Sequence, residues 1–167
     1  MPRTLLVIDI QNDYFPGGAL PLWRAEETEA RIVDAIGKGR AAGDRIVLVQ
    51  HVSGKPEGLF ASRAPGTAIR SGVLAAAGDT PIVTKHHADA FQDTDLSRHL
   101  ETTEELLICG MMTQNCVVFT AMSDDARQFK RRVLVDLCTA PTETIHRIAV
   151  NAIGSKLATA TLADAWG

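Results

Sequence analysis

The fold is decided by residues 106–117, which read LLICGMMTQNCV. The first four residues are apolar, as in a buried strand, and Gly110 introduces a turn. A helical stretch from Gln114 to Arg127 follows, with Thr113 as its expected N-cap. Cys116 would then lie in the first helical turn, where the dipole favours a thiolate, so we expect a thiol pKa below the usual value of about 8.5. The alternative is that Cys116 is a small apolar core residue.

Short apolar runs alternate with helical patterns along the rest of the chain. Predicted strands cover residues 5–8, 46–49, 82–83, 106–109, 133–135 and 159–162, and predicted helices cover 26–42, a short stretch ending near 77, 95–100, 114–127 and 142–155. Strands that are apolar throughout are buried on both faces, which is typical of a parallel sheet. The sequence therefore predicts an α/β fold, a three-layer α/β/α doubly wound (Rossmann-like) sheet of about six parallel strands. Residues 52–65 form the one long loop expected.

Length and composition favour a single domain over residues 1–167. The chain is 46% hydrophobic and 22% charged, with a net charge of −3, so it gives no reason to expect a nucleic acid or a membrane as partner. Three cysteines without paired spacing, and the absence of a signal-peptide pattern, favour a cytoplasmic protein with reduced thiols. Cys109 and Cys138 lie in or beside apolar strands, and we expect both in the core.

Two charged residues, Asp9 and Lys85, each end or follow a predicted strand. Alone, such an Asp is usually a cap or turn residue and such a Lys is usually solvated. In a doubly wound sheet, however, the carboxyl ends of the strands line the ligand crevice. A carboxylate can accept the proton of a thiol, and an ammonium can stabilise both anions. Asp9, Lys85 and Cys116 are therefore the predicted catalytic residues.

With these motifs, the chain resembles the isochorismatase-like cysteine hydrolases over essentially its whole length. In that family, the Asp of a D-x-Q-x-D-F-like motif, a Lys after the third strand and the Cys of a G-x-x-T-x-x-C-V turn form a catalytic triad. They match Asp9, Lys85 and Cys116 in the same chain order. The resemblance implies strand order 3-2-1-4-5-6, a cis peptide at Met111–Met112, and an oxyanion hole formed by the backbone N–H groups of Met112 and Cys116. It also implies a homo-oligomer, a dimer or higher, because members commonly associate.

The end of the second strand bears on metal binding and on the substrate. Nicotinamidases, one branch of this superfamily, carry an Asp-x-His metal motif there, but this chain has Val49-Gln50-His51. One imidazole does not hold a divalent metal, so we predict no metal and no organic cofactor. Isochorismatases proper, which cleave a vinyl ether, do not need the cysteine. Its presence favours hydrolysis of an amide, carbamoyl or ureido C–N bond through a thioester, with isochorismatase-type or nicotinamidase-like hydrolysis as the alternative.

A function of a different class also remains open. A helix N-terminus that follows a strand binds anions, so the turn before Cys116 could belong to a non-catalytic nucleotide- or anion-binding module. The turn lacks the Gly-rich sequence of dinucleotide and P-loop motifs. The sequence therefore favours an enzyme over a binding module.

The candidate substrate pocket is drawn from residues near the same strand ends. Aromatic side chains could line it or lie in the core, and polar side chains could hydrogen-bond a neutral group. The candidates are Gln11, Tyr14, Phe15, His51, Phe91 and Asn115. No arginine stands beside the three motifs to bind a carboxylate in a bidentate manner. The expected ligand is a small, largely neutral molecule.

Overall fold

The protein, described here by a computed structural model of residues 1–167, is built on one six-stranded sheet. The strands are β1 (Arg3–Ile8), β2 (Arg45–His51), β3 (Ile82–Lys85), β4 (Glu105–Met111), β5 (Lys130–Thr139) and β6 (Ala158–Ala160). Every neighbouring pair is parallel, and the order across the sheet is β3-β2-β1-β4-β5-β6. The predicted fold class and strand order are confirmed.

Helices flank this sheet and connect its strands. They are α1 (Ala25–Ala41), α2 (Ser71–Ala77), α3 (Leu96–His99), α4 (Val118–Met122), α5 (Glu143–Gly154) and α6 (Leu162–Trp166). Residues 52–64 contain no regular element and form the long loop predicted from the sequence. None of the helices combines the length and the apolar character needed to cross a membrane.

The longest helix, α1, has charges that suit its dipole. Glu26 and Glu27 lie in its first turn, and Lys38 and Arg40 lie in its last turn. Gly43 follows with a φ of +84°, a left-handed conformation that glycine adopts without strain, and its N–H donates to the Arg40 carbonyl. Local sequence therefore determines where this helix ends and where β2 begins.

The centre of the sheet is the most deeply buried part of the molecule. All seven residues of β4 are buried, as are the last five of β1, which matches the expectation of apolar strands covered on both faces. Cys109 is fully buried and Cys138 is 4% exposed, so the prediction that both are core residues is confirmed.

Two sequence-based boundaries were wrong. The stretch 114–127 is not one helix: a π-helical turn at Thr113–Val117 leads into α4, Ser123 adopts an extended ψ of 143°, and a 3₁₀ turn follows at Asp124–Gln128. Thr113 does not cap this segment. The last strand also ends at Ala160, because Thr161 and Asp164 form a capping box that starts α6.

Gly110 brings the central strands close together where β4 ends. It pairs with Ile8 across the β1–β4 ladder and has a φ of +127°. A Cβ atom at this position would lie 2.1 Å from the Ile8 carbonyl oxygen. Only glycine allows this approach, which places the turn carrying Cys116 beside Asp9, the residue that follows β1.

Candidate active site

Asp9, Lys85 and Cys116 meet at the carboxyl edge of the sheet. The Lys85 Nζ atom lies 3.0 Å from Asp9 Oδ2 and 3.2 Å from Cys116 Sγ. Lys85 belongs to β3, which β2 separates from β1, so its long side chain reaches past the end of β2 to Asp9. Asp9 and Lys85 are fully buried, and Cys116 is 3% exposed. The structure therefore brings together the three residues that the sequence singled out.

The Asp9 carboxylate is held in an unusual environment. Its backbone has a φ of 56°, a left-handed conformation that Asp and Asn tolerate better than most residues. Both carboxylate oxygens are buried and neither receives a hydrogen bond. The ion pair between Oδ2 and Lys85 offsets the cost of burying this charge. Burial raises the pKa of Asp9, and the Lys85 charge opposes that rise. A carboxylate of this kind is well suited to accept a proton.

The Cys116 thiol does not ionise easily in the free protein. Burial raises its pKa to about 12, the neighbouring Asp9 charge adds to the rise, and Lys85 opposes it. The expectation of a lowered pKa was wrong because burial and the Asp9 charge outweigh Lys85, and the predicted helix is replaced there by a short π-helical turn. Two anions side by side are unfavourable, so Asp9 and Cys116 are best described as a pair that shares one proton.

Lys85 makes two further contacts. Its ammonium group lies 2.6 Å from His51 Nδ1 and 3.0 Å from the His87 carbonyl oxygen. Partial burial, with Lys85 as a further cause, lowers the pKa of His51 to about 4, so the ring is neutral at physiological pH. The neutral ring then accepts a hydrogen bond from the lysine at Nδ1 and carries its own proton on Nε2.

The same atoms could be considered as metal ligands. Oxygen, nitrogen and sulfur atoms of Asp9, His51 and Cys116 lie within 4.8 Å of one another. The Lys85 ammonium, however, is 3.2 Å or less from a donor atom of each of the three, so it already supplies the positive charge there. Val49 occupies the position of the Asp in the nicotinamidase metal motif and is 1% exposed. These residues do not fit a divalent metal beside the lysine.

Gln11 differs from its predicted role as a pocket residue with free hydrogen-bonding groups. Its two amide N–H groups donate to the carbonyl oxygens of His51 and Thr67, at 2.8 and 2.7 Å. Its side-chain oxygen accepts the His51 backbone N–H at 2.8 Å. Gln11 therefore joins the ends of β1 and β2 and fixes the backbone of His51, and both of its donors are occupied.

The aromatic candidates are buried. Tyr14 is 2% exposed, Phe15 1% and Phe91 6%. Burial raises the pKa of the Tyr14 hydroxyl, and the charge of Asp9 adds to the rise. The Phe15 ring lies 4.1 Å from the guanidinium carbon of Arg70.

Phe60, in the long loop, is a neighbour of the site that sequence reasoning missed. Its ring centre is 4.7 Å from that of Tyr14 and 5.7 Å from that of His51. The Phe60 N–H donates to the buried Asp13 carboxylate at 2.8 Å. The signal that could have found it is its place as the one aromatic residue of loop 52–65.

The turn before Cys116 contains the expected cis peptide, between Met111 and Met112. Met112 is 9% exposed, and its carbonyl oxygen accepts the Asn115 N–H at 3.0 Å. Asn115 itself is partly exposed. The Thr113 hydroxyl pairs with His146 Nδ1 at 2.8 Å, which explains why it does not cap a helix. The oxyanion hole at the N–H groups of Met112 and Cys116 stays a prediction.

Comparisons with known proteins agree with this architecture. The family model described as "Isochorismatase domain" matches residues 3–165. The uncharacterized isochorismatase family protein YddQ of Bacillus subtilis is 31% identical over 99% of both chains, and the nicotinamidase of Escherichia coli is 26% identical over 98% of this chain and 96% of that protein. An isochorismatase-like hydrolase from Alkaliphilus metalliredigens shares the fold, with a TM-score of 0.88, 24% identity and coverage of 99% of this chain and 98% of that one. The chain belongs to the isochorismatase-like hydrolase superfamily.

Proposed function

We propose that this hydrolase cleaves a C–N bond of a small amide, carbamoyl or ureido compound through a thioester on Cys116. The observation that carries the proposal is the position of the Lys85 ammonium, within 3.2 Å of both the Asp9 carboxylate and the Cys116 sulfur. A base, a nucleophile and a cation that stabilises both are the groups needed for acyl transfer through a cysteine. The similarity to a nicotinamidase, which by its name acts on an amide, supports the same class of bond.

The first half of the reaction forms the thioester. Cys116 Sγ attacks the carbonyl carbon while its proton moves to Asp9, whose raised pKa makes the carboxylate a suitable acceptor. The resulting oxyanion would be bound by the backbone N–H groups of Met112 and Cys116, each typically contributing about 3–4 kcal/mol. The C–N bond then breaks as Asp9 returns the proton to the leaving nitrogen.

The second half releases the product and restores the enzyme. Water attacks the thioester carbon and gives one proton to Asp9, the C–S bond breaks, and the proton returns to the Cys116 sulfur. Throughout both halves, Lys85 remains beside the two groups whose charge changes, 3.0 Å from Asp9 Oδ2 and 3.2 Å from Cys116 Sγ. No metal takes part in this scheme.

The charges around the site favour a neutral substrate. A carboxylate taken into a buried site needs a cation that is not already paired. Arg70, after the long loop, is engaged with Glu29 and Asn12 at 3.2 Å each, and Arg63 is exposed. Lys85 is paired with the triad. Apart from the exposed Arg63, a dianion such as isochorismate would therefore lack a partner.

The non-catalytic binding module is the weaker alternative. An anion site at a helix N-terminus needs aligned N–H groups of a regular helix, whereas α4 has five residues and follows a π-helical turn. The buried ion pair of Asp9 and Lys85 also has no role in such a module. The localisation and the small-molecule partner predicted from the sequence stay predictions.

A substrate panel tests the proposal. Small amides, N-carbamoyl compounds, nicotinamide and isochorismate are incubated with wild-type protein and with Cys116→Ala, and release of ammonia or product is measured. We expect turnover of at least one neutral C–N substrate by the wild type and background rates for Cys116→Ala. Full activity of Cys116→Ala would refute the nucleophile, and turnover of isochorismate with none of the amides would refute the substrate class.

A further inference from the structure

The Lys85 ammonium has more partners than it has protons to donate. It carries three N–H groups and has four atoms within 3.2 Å: Asp9 Oδ2, His51 Nδ1, the His87 carbonyl oxygen and Cys116 Sγ. Three of these have hydrogen-bond geometry, and Asp9 Oδ2 does not, because neither oxygen of Asp9 receives a hydrogen bond. The Asp9–Lys85 contact is thus an ion pair without a directed N–H.

His51 is the partner whose position is controlled most closely by the rest of the site. Its backbone N–H and carbonyl group are both held by the Gln11 side chain at 2.8 Å. Its ring lies against Phe60, and its register in the sheet is opposite Lys85. These contacts hold the Nδ1 atom in place independently of Lys85.

We propose that His51 is a positioning residue: by accepting one Lys85 N–H at Nδ1, it keeps that N–H away from Asp9. Without this acceptor, one buried N–H would lack a partner, and Asp9 Oδ2, 3.0 Å from the nitrogen, is the nearest group that could take it. A hydrogen bond from Lys85 would make the Asp9 carboxylate a weaker base. The proposal rests on the function proposed above and gives this histidine a role that needs no metal.

A matched pair of substitutions separates the acceptor from the shape of the side chain. His51→Asn can place an oxygen where Nδ1 lies, and His51→Leu has the same branching with no acceptor. The readout is the rate at which iodoacetamide alkylates Cys116 at pH 8, assigned by mass spectrometry of the peptide that contains Cys116. This measurement needs no substrate, so it does not depend on whether the substrate class is right. His86→Leu is the control, because its ring is exposed and forms its hydrogen bond with the Val52 carbonyl oxygen and not with Lys85.

We expect the alkylation rate of His51→Leu to rise about tenfold, because the Lys85 N–H released from Nδ1 would offset the Asp9 charge that raises the pKa of Cys116. His51→Asn should remain within about threefold of the wild type, and His86→Leu should match it. Once a substrate is known, kcat should fall in His51→Leu and stay nearly unchanged in His51→Asn and His86→Leu, with little change in KM, because the weakened base accepts the thiol proton less well. Circular dichroism establishes that each variant is folded, and if His51→Leu is not, His51→Ala provides the same comparison.

Two results would overturn the proposal. One is wild-type alkylation in His51→Leu, which would mean that Lys85 needs no acceptor at this position. The other is an equal change in the Asn and Leu variants, which would mean that the imidazole ring, and not its Nδ1 acceptor, is what matters. Failure of the proposed function would look different, since either Cys116→Ala would keep its activity or isochorismate alone would be turned over, whatever His51 does.

Discussion

Replacing Asp9 with Asn should make Cys116 more reactive towards an alkylating reagent while strongly lowering turnover. Asn has the shape of Asp and also tolerates the left-handed backbone at this position, where φ is 56°. The substitution removes one negative charge and leaves Lys85 beside the thiol. Because that charge is one of the causes of the high pKa of Cys116, its loss should favour the thiolate.

The size of the effect follows from the geometry. Asp9 and Cys116 have donor atoms no more than 4.8 Å apart. At that distance and an effective dielectric constant of about 20, two unit charges repel by roughly 3.5 kcal/mol, which corresponds to about 2.5 pH units. Allowing for relaxation around Lys85, we expect the pKa of Cys116 to fall by about two from its wild-type value. At pH 9 the thiolate fraction, and with it the alkylation rate, should rise about a hundredfold.

The assay measures iodoacetamide alkylation at pH 7–10 and assigns it to each cysteine by mass spectrometry. Cys109 and Cys138 serve as controls within the same sample, since both are buried free cysteines. Turnover of Asp9→Asn should fall by about 10²–10⁴, the usual contribution of a general base. A Cys116 alkylation rate that is unchanged or lower in the variant would refute the description of the two residues as a pair that shares one proton.

Further outcomes follow from other parts of the structure. Gly110→Ala should lower the free energy of unfolding, measured by urea denaturation, by about 3 kcal/mol or more, because its Cβ would collide with the Ile8 carbonyl. Gly37→Ala, which has open space around it in α1, should raise the free energy of unfolding by up to about 1 kcal/mol. Exhaustive chelation should leave activity unchanged, and loss of activity together with a stoichiometric metal would contradict the assignment of the cation to Lys85. Light scattering should give a multiple of 17.9 kDa, since α4 and α5 expose the large apolar side chains of Phe119 and Ile148; a monomer at micromolar concentration would contradict this.

The fold and the triad could be predicted because they depend on signals that are local in the sequence. Apolar runs alternate with amphipathic stretches, and a parallel sheet gathers the carboxyl ends of its strands at one edge. Asp9, Lys85 and Cys116 each stand at or just beyond such an end. Their proximity therefore follows once the strand order is known, and the order itself came from the family resemblance.

The details that failed depend on contacts between distant parts of the chain. Thr113 is a good N-cap by residue type, but its hydroxyl finds His146, which is 33 positions away in α5. Gln11 resembles a ligand-binding residue until β2 supplies the backbone groups of His51. The pKa of Cys116 depends on burial, which no local pattern reveals. The Thr161–Asp164 capping box, by contrast, was visible in the sequence and should have ended the last strand earlier.

The pairing of β1 with β4 has a consequence for the newly made chain. Arg3 of β1 pairs with Glu105 of β4, so the partner strand is made much later than β1. At about 5–20 residues per second, Cys116 leaves the ribosome roughly 5–20 s after Asp9. Before these strands pair, Cys116 has neither the carboxylate nor the ammonium beside it and behaves as an ordinary thiol, with a pKa of about 8.5. It is then open to oxidation, since susceptibility follows thiolate character and exposure. Closure of the sheet ends that exposure, because Cys116 is only 3% exposed in the folded protein and burial there raises the pKa of its thiol.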